Sequence, residues 1–560
     1  MPRLTHCLLC LTLLATLALP CGTSAAPDSS GPAFPRLVMW YPTHPKTRME
    51  DRARFDLFVG DFATGVPGER PSGRNKGRTL ASELRRANGS TQLLTYYRPL
   101  VIRPSSLYEG TRKHNPLLGS WPVNWFMTEA GSSLAAPLTA GDTQLKVVDW
   151  EQSGEAQGSR PRSWVIWKAS QDIQVDNEIM TISAVDEATR TLTVQRGMNG
   201  TQAAAHAAGT RTAPLARFWR GSYIMNLTDT SGTASLDGAG SAEDYAGYAF
   251  RMGLEGANEW FGYIGGDQDG FLWDMLPDNL SWLMWTDTRS LDLDRDNVPD
   301  SFASLDSAWE RALARQNAMF AERFPGKAIV RNQSRSRDFD SYNGESFVSF
   351  PHDQWNGGDP DDTAGWTRFW HDVFLGGPEE ARGGIAQFQQ GNVTPNFTQI
   401  ITDDLEMDLD SAGFPELKNP ETASRFRPNY RKMRWGLCSA LLSGSYYGYV
   451  ITTDGYGLRG IEWFDEYDDA GSGRGYLGFP QGEMQQLSRS ADNADHGVWG
   501  REYDNGYVLV NPLERAVEVQ LPAGKWQRIK GTQVPEVNSG AVEEGSVTVP
   551  AFDGLILKRI

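Results

Sequence analysis

The stretch DGFLWD, residues 269–274, is the part of the sequence that best defines the fold. Its apolar residues run on without polar alternation, which is typical of a strand buried on both faces of a parallel sheet. Similar runs occur at residues 37–41 (LVMWY), 55–61 (FDLFVGD) and 93–98 (LLTYYR). Together they predict an α/β protein built on a parallel sheet.

Eight candidate parallel strands lie along the chain, near residues 37, 55, 91, 269, 327, 339, 398 and 445. Helical segments are predicted between several of them, including residues 79–87, 242–261 and 304–324. Eightfold β/α alternation over roughly 360 residues favours a closed (β/α)8 TIM barrel over an open doubly wound sheet.

Two regions interrupt this alternation. Residues 133–214 contain short β-segments with turn signals such as Asn199-Gly200, which predict a small all-β domain inserted into the barrel. Residues 496–560 contain short alternating strands that predict a C-terminal β-sandwich. The barrel itself would then comprise residues 34–132 and 215–495.

The first 26 residues have the pattern of a cleavable signal peptide. Arg3 precedes an apolar run that is too short to span a bilayer, and small residues follow near Ala25. Cys21 would permit lipoprotein anchoring, but Pro20 before it fits that motif poorly. We therefore expect a secreted or periplasmic protein, with no later segment apolar enough to span a membrane.

Composition excludes several function classes. The 560 residues carry 53 Lys and Arg against 70 Asp and Glu, a formal charge of −17, which argues against binding nucleic acid. Signal cleavage would leave Cys438 as the only cysteine, so we expect no intramolecular disulfide. The sequence also has no phosphate-binding loop, no His-Glu-x-x-His zinc motif and no Gly-x-Ser-x-Gly nucleophile motif.

Polar residues that end barrel strands point into the active site of such folds. Here these positions hold Asp61, Asp274, Asn332, Glu345, Asp403 and Asp404. A carboxylate in a loop can instead cap the following helix, which is the alternative for Asp61, Asp403 and Asp404. Asp274 is the strongest candidate, because its charge ends a run that must be buried, and buried carboxylates beside aromatic rings often do acid–base or nucleophilic work.

A set of short motifs has a family likeness. These are residues 269–274, IVRN at 329–332, YNGE at 342–345, LLSGSYY at 441–447 and WFDEY at 463–467. In this order, before a C-terminal β-domain, they resemble the (β/α)8-barrel glycoside hydrolases. The likeness is greatest to the hypothetical glycosyl-hydrolase families distantly related to α-galactosidases and polygalactosaminidases.

The resemblance implies a carboxylate pair and no cofactor for the chemistry. Asp274 would attack C1 or activate water, and Glu345 would protonate the leaving oxygen, although Asp465 or Glu466 is an alternative second acid. An oxocarbenium-like transition state needs one ionised and one protonated carboxyl, about 5 Å apart for retention or about 6.5–9.5 Å apart for inversion. The sequence leaves both outcomes open.

Residues expected around the acids would contact a polysaccharide or oligosaccharide substrate. Sugar faces stack on aromatic rings, and carboxylates, amides and Arg bind hydroxyls, although core packing is the alternative for each aromatic residue. The candidate substrate-binding residues are Trp40, Tyr41, Asp61, Tyr96, Arg98, Asn332, Trp463, Asp465 and Glu466.

A separate acidic loop has the spacing of calcium-binding Asp-x-Asp-x-Asp sequences. Its candidate ligands are Asp292, Asp294, Asp296 and Asp300. Asn297 stands where Gly is usual and Ala303 where a twelfth-position Glu is usual, so a plain acidic loop is the alternative to a structural Ca²⁺ site.

The sequence thus predicts an exported glycoside hydrolase that cleaves an extracellular polysaccharide. The main alternative is a non-catalytic carbohydrate-binding or surface polysaccharide-assembly protein on the same barrel scaffold. A polysaccharide lyase or deacetylase would need a Tyr/Arg base or a metal triad, and neither is evident. The sugar, the linkage, endo or exo action, the role of the inserted domain and the oligomeric state stay open.

Overall fold

The computed structural model describes most of the barrel framework and both β-domains. The described residues are 31–40, 48–60, 80–102, 121–155, 163–218, 222–235, 242–254, 268–275, 277, 279–285, 288–332, 341–344, 399–403, 428–450, 462–489 and 497–560. The predicted signal segment lies outside them. Within these ranges, no helix combines the length and the apolarity that crossing a bilayer requires.

The first barrel strands are short and apolar, and nearly all of their residues are buried. Because both faces are covered, their sequences show no polar alternation. In chain order the elements are β1 (Val38–Trp40), α1 (Met49–Arg52), β2 (Leu57–Gly60), α2 (Leu80–Ala87), β3 (Gln92–Tyr97) and β4 (Val101–Ile102).

An antiparallel β-domain follows β4. Its strands are β5 (Ser132–Ser133), β6 (Gln144–Lys146), β7 (Glu151–Ser153), β8 (Ser163–Val165), β9 (Asp172–Val175), β10 (Glu178–Asp186), β11 (Thr191–Gln195) and β12 (Arg211–Pro214). Six of them form a sheet in the order β5-β12-β9-β10-β11-β6, and β7 pairs with β8. The sheet buries its own apolar core around Ile173, Ile182 and Leu192.

The chain then returns to the barrel. The elements are β13 (Tyr223–Ile224), α3 (Tyr245–Leu254), β14 (Gly270–Trp273), α4 (Phe302–Arg323), β15 (Ala328–Asn332), β16 (Ser341–Gly344), β17 (Gln399–Asp403), α5 (Tyr430–Ser443) and β18 (Tyr446–Val450). β13 pairs with β4, so the two chain segments that flank the inserted sheet run side by side.

Eight parallel strands form one sheet in the order β1-β2-β3-β14-β15-β16-β17-β18. A parallel bridge between Leu37 and Tyr447 joins the two ends of this order, so the sheet is closed. This arrangement confirms the predicted (β/α)8 barrel and all eight predicted strand positions. Alternate side chains fill its interior, among them Val59, Leu94 and Leu272.

Gly270 marks a close approach inside the barrel. A Cβ at this position would lie 2.5 Å from the carbonyl oxygen of Ala328 and 2.9 Å from Cδ2 of Leu94. Only glycine leaves room for the neighbouring strands β3 and β15 to pair with β14 at this register.

The C-terminal part consists of α6 (Asp465–Asp468), β19 (Pro480–Gln486), β20 (Trp499–Tyr503), β21 (Gly506–Asn511), β22 (Val517–Arg528), β23 (Val542–Val549) and β24 (Asp553–Arg559). The described strands form one antiparallel sheet, β19-β20-β21-β24-β22-β23, which begins earlier than the predicted residue 496. Helix α5 packs on it, and Arg434 donates two hydrogen bonds, of 2.9 and 2.7 Å, to Asp553.

Candidate active site

Asp274 directly follows β14 at the carboxyl end of the barrel. Leu272 belongs to the interior cluster, and because strand side chains alternate with a period of two, Asp274 points into the same interior. Its own N–H donates to the carbonyl of Tyr97 at 2.9 Å, which continues the pairing between β14 and β3. Only 9% of the residue is exposed, so a carboxylate is held at the mouth of the barrel, largely out of water.

Three donors converge on this carboxylate. Asn332 Nδ2 donates to Oδ1 at 2.6 Å, the Met275 N–H donates to the same oxygen at 2.8 Å, and the Tyr96 hydroxyl donates to Oδ2. Tyr96 belongs to β3 and Asn332 ends β15, the two strands that flank β14. An ionised carboxylate only accepts, and it therefore satisfies all three donors at once.

Met275 contributes through a strained backbone. Its φ is +57°, in the left-handed region that a long unbranched side chain rarely adopts. Such a conformation costs roughly 1–3 kcal/mol and persists only where the surroundings impose it, often at functional sites. Here it accompanies an N–H that is aimed back at the carboxylate of the preceding residue. Sequence reasoning missed this group, and no local signal marks it.

Two other predicted sugar contacts lie in or near this end of the barrel. The Arg98 guanidinium lies 5.9 Å from the ring centroid of Tyr96. Trp40 is 6% exposed in the interior cluster, and its Nε1 donates to Oε1 of Gln399 at 3.1 Å. Trp40 therefore packs inside the barrel, and Gln399, which sequence reasoning missed, crosses the interior to meet it.

Four of the predicted site residues, Tyr41, Asp61, Glu345 and Asp404, lie outside the described residues. β16 ends at Gly344, immediately before Glu345, so the position of that residue after the sixth barrel strand agrees with the strand assignment. The pairing of Glu345 with Asp274 stays a prediction.

Trp463 lies at the other end of the barrel. The Arg54 guanidinium lies over the ring of Trp463, 3.2 Å from its centroid, and the ring of Phe55 meets it edge-on at 5.8 Å. Arg54 and Phe55 come just before β2, hence at the amino ends of the parallel strands. The expectation that Trp463 lines the same cleft as Asp274 is therefore corrected.

Asp465 and Glu466 bind the C-terminal sheet region instead of the Asp274 group. Asp465 Oδ2 accepts from the N–H groups of Thr532 and Gln533 at 2.6 and 2.9 Å. Glu466 is 2% exposed and accepts from Asn538 Nδ2 at 2.8 Å, and its burial raises the pKa of the carboxyl above its usual range. Both acids follow Trp463 at the amino end, so the expectation that they contact substrate or replace Glu345 is also corrected. Their physical role is to join the barrel to the C-terminal sheet.

The acidic loop brings three of its four predicted ligands together. Carboxylate oxygens of Asp292, Asp294 and Asp296 lie within 4.8 Å of one another. Asn297 has a φ of +70°, a conformation that Asn tolerates, which explains how it replaces the usual glycine. Asp300 closes the loop by accepting the Leu293 N–H at 2.6 Å and does not belong to the group of three.

Asp292 is the buried member of this group. Burial raises the pKa of its carboxyl, and the Arg211 guanidinium, with Nη2 at 2.5 Å from Oδ2, opposes that effect. Three clustered carboxylates suit a hard cation with oxygen ligands such as Ca²⁺. Arg211 already supplies one positive charge to the group, so any ion would use the oxygens that face away from it.

No protein-family model matches the sequence, and no curated protein sequence matches it. One solved structure that matches is an alpha-amylase from Geobacillus thermoleovorans complexed with acarbose, with 10% sequence identity and a TM-score of 0.36. The match covers 93% of this chain and 98% of the amylase chain. An alpha-amylase from Anoxybacillus shares 11% identity over 94% and 98% of the chains, with a TM-score of 0.38. A GH36 alpha-galactosidase from Geobacillus stearothermophilus shares 10% identity over 96% and 56%, with a TM-score of 0.35.

Fold and site together define a class. The protein is a (β/α)8 barrel with a buried strand-end carboxylate at the carboxyl face, where enzymes of this fold carry their active sites. At TM-scores of 0.35 to 0.38 the superpositions are partial, so this assignment rests on the strand order and closure of the chain itself.

Proposed function

We propose that the protein is a glycoside hydrolase that cleaves an extracellular polysaccharide. The observation that carries the proposal is Asp274, a carboxylate at the carboxyl end of β14 that is 9% exposed and accepts three hydrogen bonds. Burying a charged group is energetically unfavourable, so a buried carboxylate indicates a functional role. In a (β/α)8 barrel, the carboxyl ends of the strands are where catalytic residues lie. The predicted signal peptide supports a secreted or periplasmic location.

Asp274 suits the role of the ionised carboxylate. Its three donors fix both oxygens and match the acceptor-only form, which either attacks C1 of the sugar or takes a proton from water. Tyr96 and Asn332 act as positioning residues that hold the carboxylate from the two neighbouring strands. Glu345, the first residue after β16, is the proposed proton donor to the leaving oxygen.

We also propose a structural Ca²⁺ at Asp292, Asp294 and Asp296. These residues lie between β14 and α4, so an ion there would brace the loop that begins at Asp274. The proposal is supported by the donor set, since carboxylate oxygens are the ligands that Ca²⁺ prefers. It requires no part for the ion in the chemical step.

The test compares substitutions at the two ends of one strand. Asp274→Asn should lower hydrolysis at least ~10³-fold, as expected for a group that acts on the reacting atoms. Asp269→Asn is the matched control, because Asp269 lies at the amino end of β14, where it accepts from Arg85 Nη2 and the Leu93 N–H, both at 2.8 Å. That variant should lose stability and keep its activity per folded molecule.

The assay is reducing-sugar release from soluble starch, pullulan, galactan and a galactosamine-containing polysaccharide, with circular dichroism as the check on folding. Folded Asp274→Asn that cleaves at the wild-type rate would refute the proposal. Wild-type protein that binds one of these polysaccharides and releases no reducing ends from any would favour the non-catalytic binding function instead.

A further inference from the structure

A pair of aromatic rings lies on the surface between the inserted domain and the loop after β14. Trp282, on the 3-10 helix Leu280–Trp285, is 43% exposed. Among the described residues it is the one aromatic side chain in the set of exposed large hydrophobics. The ring of Phe218 lies 5.5 Å from it, centroid to centroid, at an interplanar angle of 32°.

The exposure of Trp282 does not come from a loose segment. Leu280 and Leu283 on either side of it are fully buried in the main core. Ser281 binds Asp306 at the start of α4 through its N–H at 2.8 Å and its hydroxyl at 3.1 Å. The short helix is therefore anchored on both sides, and the indole of Trp282 is turned toward solvent.

Phe218 is held in place from the other side. The preceding residue, Arg217, donates its N–H to Thr288 Oγ1 at 2.9 Å and accepts from the same hydroxyl at 2.8 Å. The guanidinium of Arg217 also donates to Asp172 of β9 at 2.5 Å. The segment just after β12 is thus tied both to the sheet of the inserted domain and to the loop after β14.

Both rings belong to the end of the barrel that carries Asp274. The inserted domain follows β3 and the Trp282 helix follows β14, two paired strands whose carboxyl ends hold Tyr96 and Asp274. Trp282 comes eight positions after Asp274, so an extended chain would place the two at most ~27 Å apart. A polymer bound at the mouth of the barrel is long enough to reach Trp282 anywhere within that limit.

We propose that Trp282 and Phe218 form a stacking subsite for a sugar ring of the polysaccharide, remote from the bond that is cleaved. A pyranose presents an apolar C–H face, and a rigid, half-exposed indole offers a large flat contact at low entropy cost. This subsite rests on the proposed function and deepens it: it gives the junction between the inserted domain and the barrel a role in selecting polymers over short substrates.

The experiment measures binding without turnover. In the Asp274→Asn background, Trp282→Ala should weaken retention in gels containing soluble starch, pullulan, galactan or a galactosamine-containing polysaccharide by roughly tenfold for the polymer that binds. Trp282→Phe keeps an aromatic ring and should retain most of the affinity. Val542→Ala removes an exposed apolar side chain from the C-terminal sheet and should change nothing.

Kinetics separate the two proposals. With Asp274 intact, Trp282→Ala should raise KM on the polymer about tenfold and leave cleavage of a short chromogenic glycoside unchanged. Folded Trp282→Ala that binds and cleaves the polymer like the wild type overturns the subsite, as does wild-type protein that binds none of the four polysaccharides. Hydrolysis that survives Asp274→Asn overturns the proposed function instead, and the gel comparison still decides on the subsite.

Discussion

Glu178 on β10 is a buried acid that holds a loop of the inserted domain in place. Its side chain is 1% exposed and accepts two hydrogen bonds from Arg196, at 2.7 and 2.8 Å, and contacts His206 Nε2 at 2.9 Å. It also accepts the N–H groups of Gly197 and Ala204 at 2.9 and 3.0 Å. One carboxylate therefore fastens the loop between β11 and β12 to the centre of the sheet.

The same contacts set the acid response of the domain. Burial raises the pKa of Glu178, but the hydrogen bonds from Arg196, His206 and the two amides outweigh it and lower the pKa from 4.5 to about 2. A shift of that size corresponds to ~3 kcal/mol of stabilisation. Because the folded value is the lower one, this stabilisation is complete above pH 4.5 and is lost as the pH falls toward 2.

Glu178→Gln should destabilise the inserted domain by ~3–5 kcal/mol, because Arg196, with a side chain 7% exposed, would keep its charge and lose its partner. The variant should also lose the acid dependence between pH 4.5 and pH 2. Glu187→Gln, at an exposed acid in the turn between β10 and β11, makes the same charge change and should have little effect on either quantity.

The assay is urea unfolding of the full chain, followed by hydrogen exchange of the β9–β11 amides, since a chain with several units need not unfold in one step. The free energies of local opening at pH 7, 4.5 and 3 give both the stability that the inserted domain loses on substitution and the pH dependence of that stability. The reasoning is refuted if Glu178→Gln costs under ~1 kcal/mol at pH 7, or if its acid response equals that of Glu187→Gln.

Three further predictions concern other contacts. Asn332→Ala removes a hydrogen bond to the charged Asp274, worth ~1.5–3 kcal/mol, and should lower kcat about 10- to 150-fold with little change in KM, measured on the polymer that the wild type cleaves. Chelation of Ca²⁺ should lower the melting temperature of the wild type and not that of Asp294→Asn, as measured by calorimetry. An equal decrease in the melting temperature of the two proteins would exclude the proposed ion. Asp553→Asn removes the negative charge that faces the buried Arg434 and should lower the free energy of unfolding by ~3–5 kcal/mol, measured by urea unfolding. A decrease no larger than that of a surface substitution would contradict this prediction.

Much of the barrel was predictable because its signals are local. A strand covered on both faces is largely apolar, so the short apolar runs of β2, β3 and β14, of four, six and four residues, were recognisable in the sequence. The position of Asp274 was predictable for the same reason, since a charge that ends such a run must lie at a strand end. The alternating pattern of the inserted domain is equally local, because one face of its sheet meets water.

The partners of the candidate residues were not predictable in this way. Tyr96 is 178 residues and Asn332 58 residues from Asp274 along the chain, and they meet it only because strand register places them side by side. The prediction for Asp465 and Glu466 was wrong for the opposite reason. An acid pair flanked by aromatic residues resembles a sugar-binding site in its local sequence, although its actual partners are distant in the chain. These two acids lie at the amino end of the barrel, where the C-terminal sheet region supplies their donors.

The sequence by itself therefore determined the eight parallel strands, the inserted β-domain and the position of one carboxylate at a strand end. The tertiary structure alone decided which groups surround that carboxylate, which acids face the C-terminal sheet and which indole is turned to solvent. The physical reason is that local patterns of polar and apolar residues determine which segments are buried and form strands. Contacts between side chains depend instead on barrel closure and strand register, which bring together residues that are far apart in the chain.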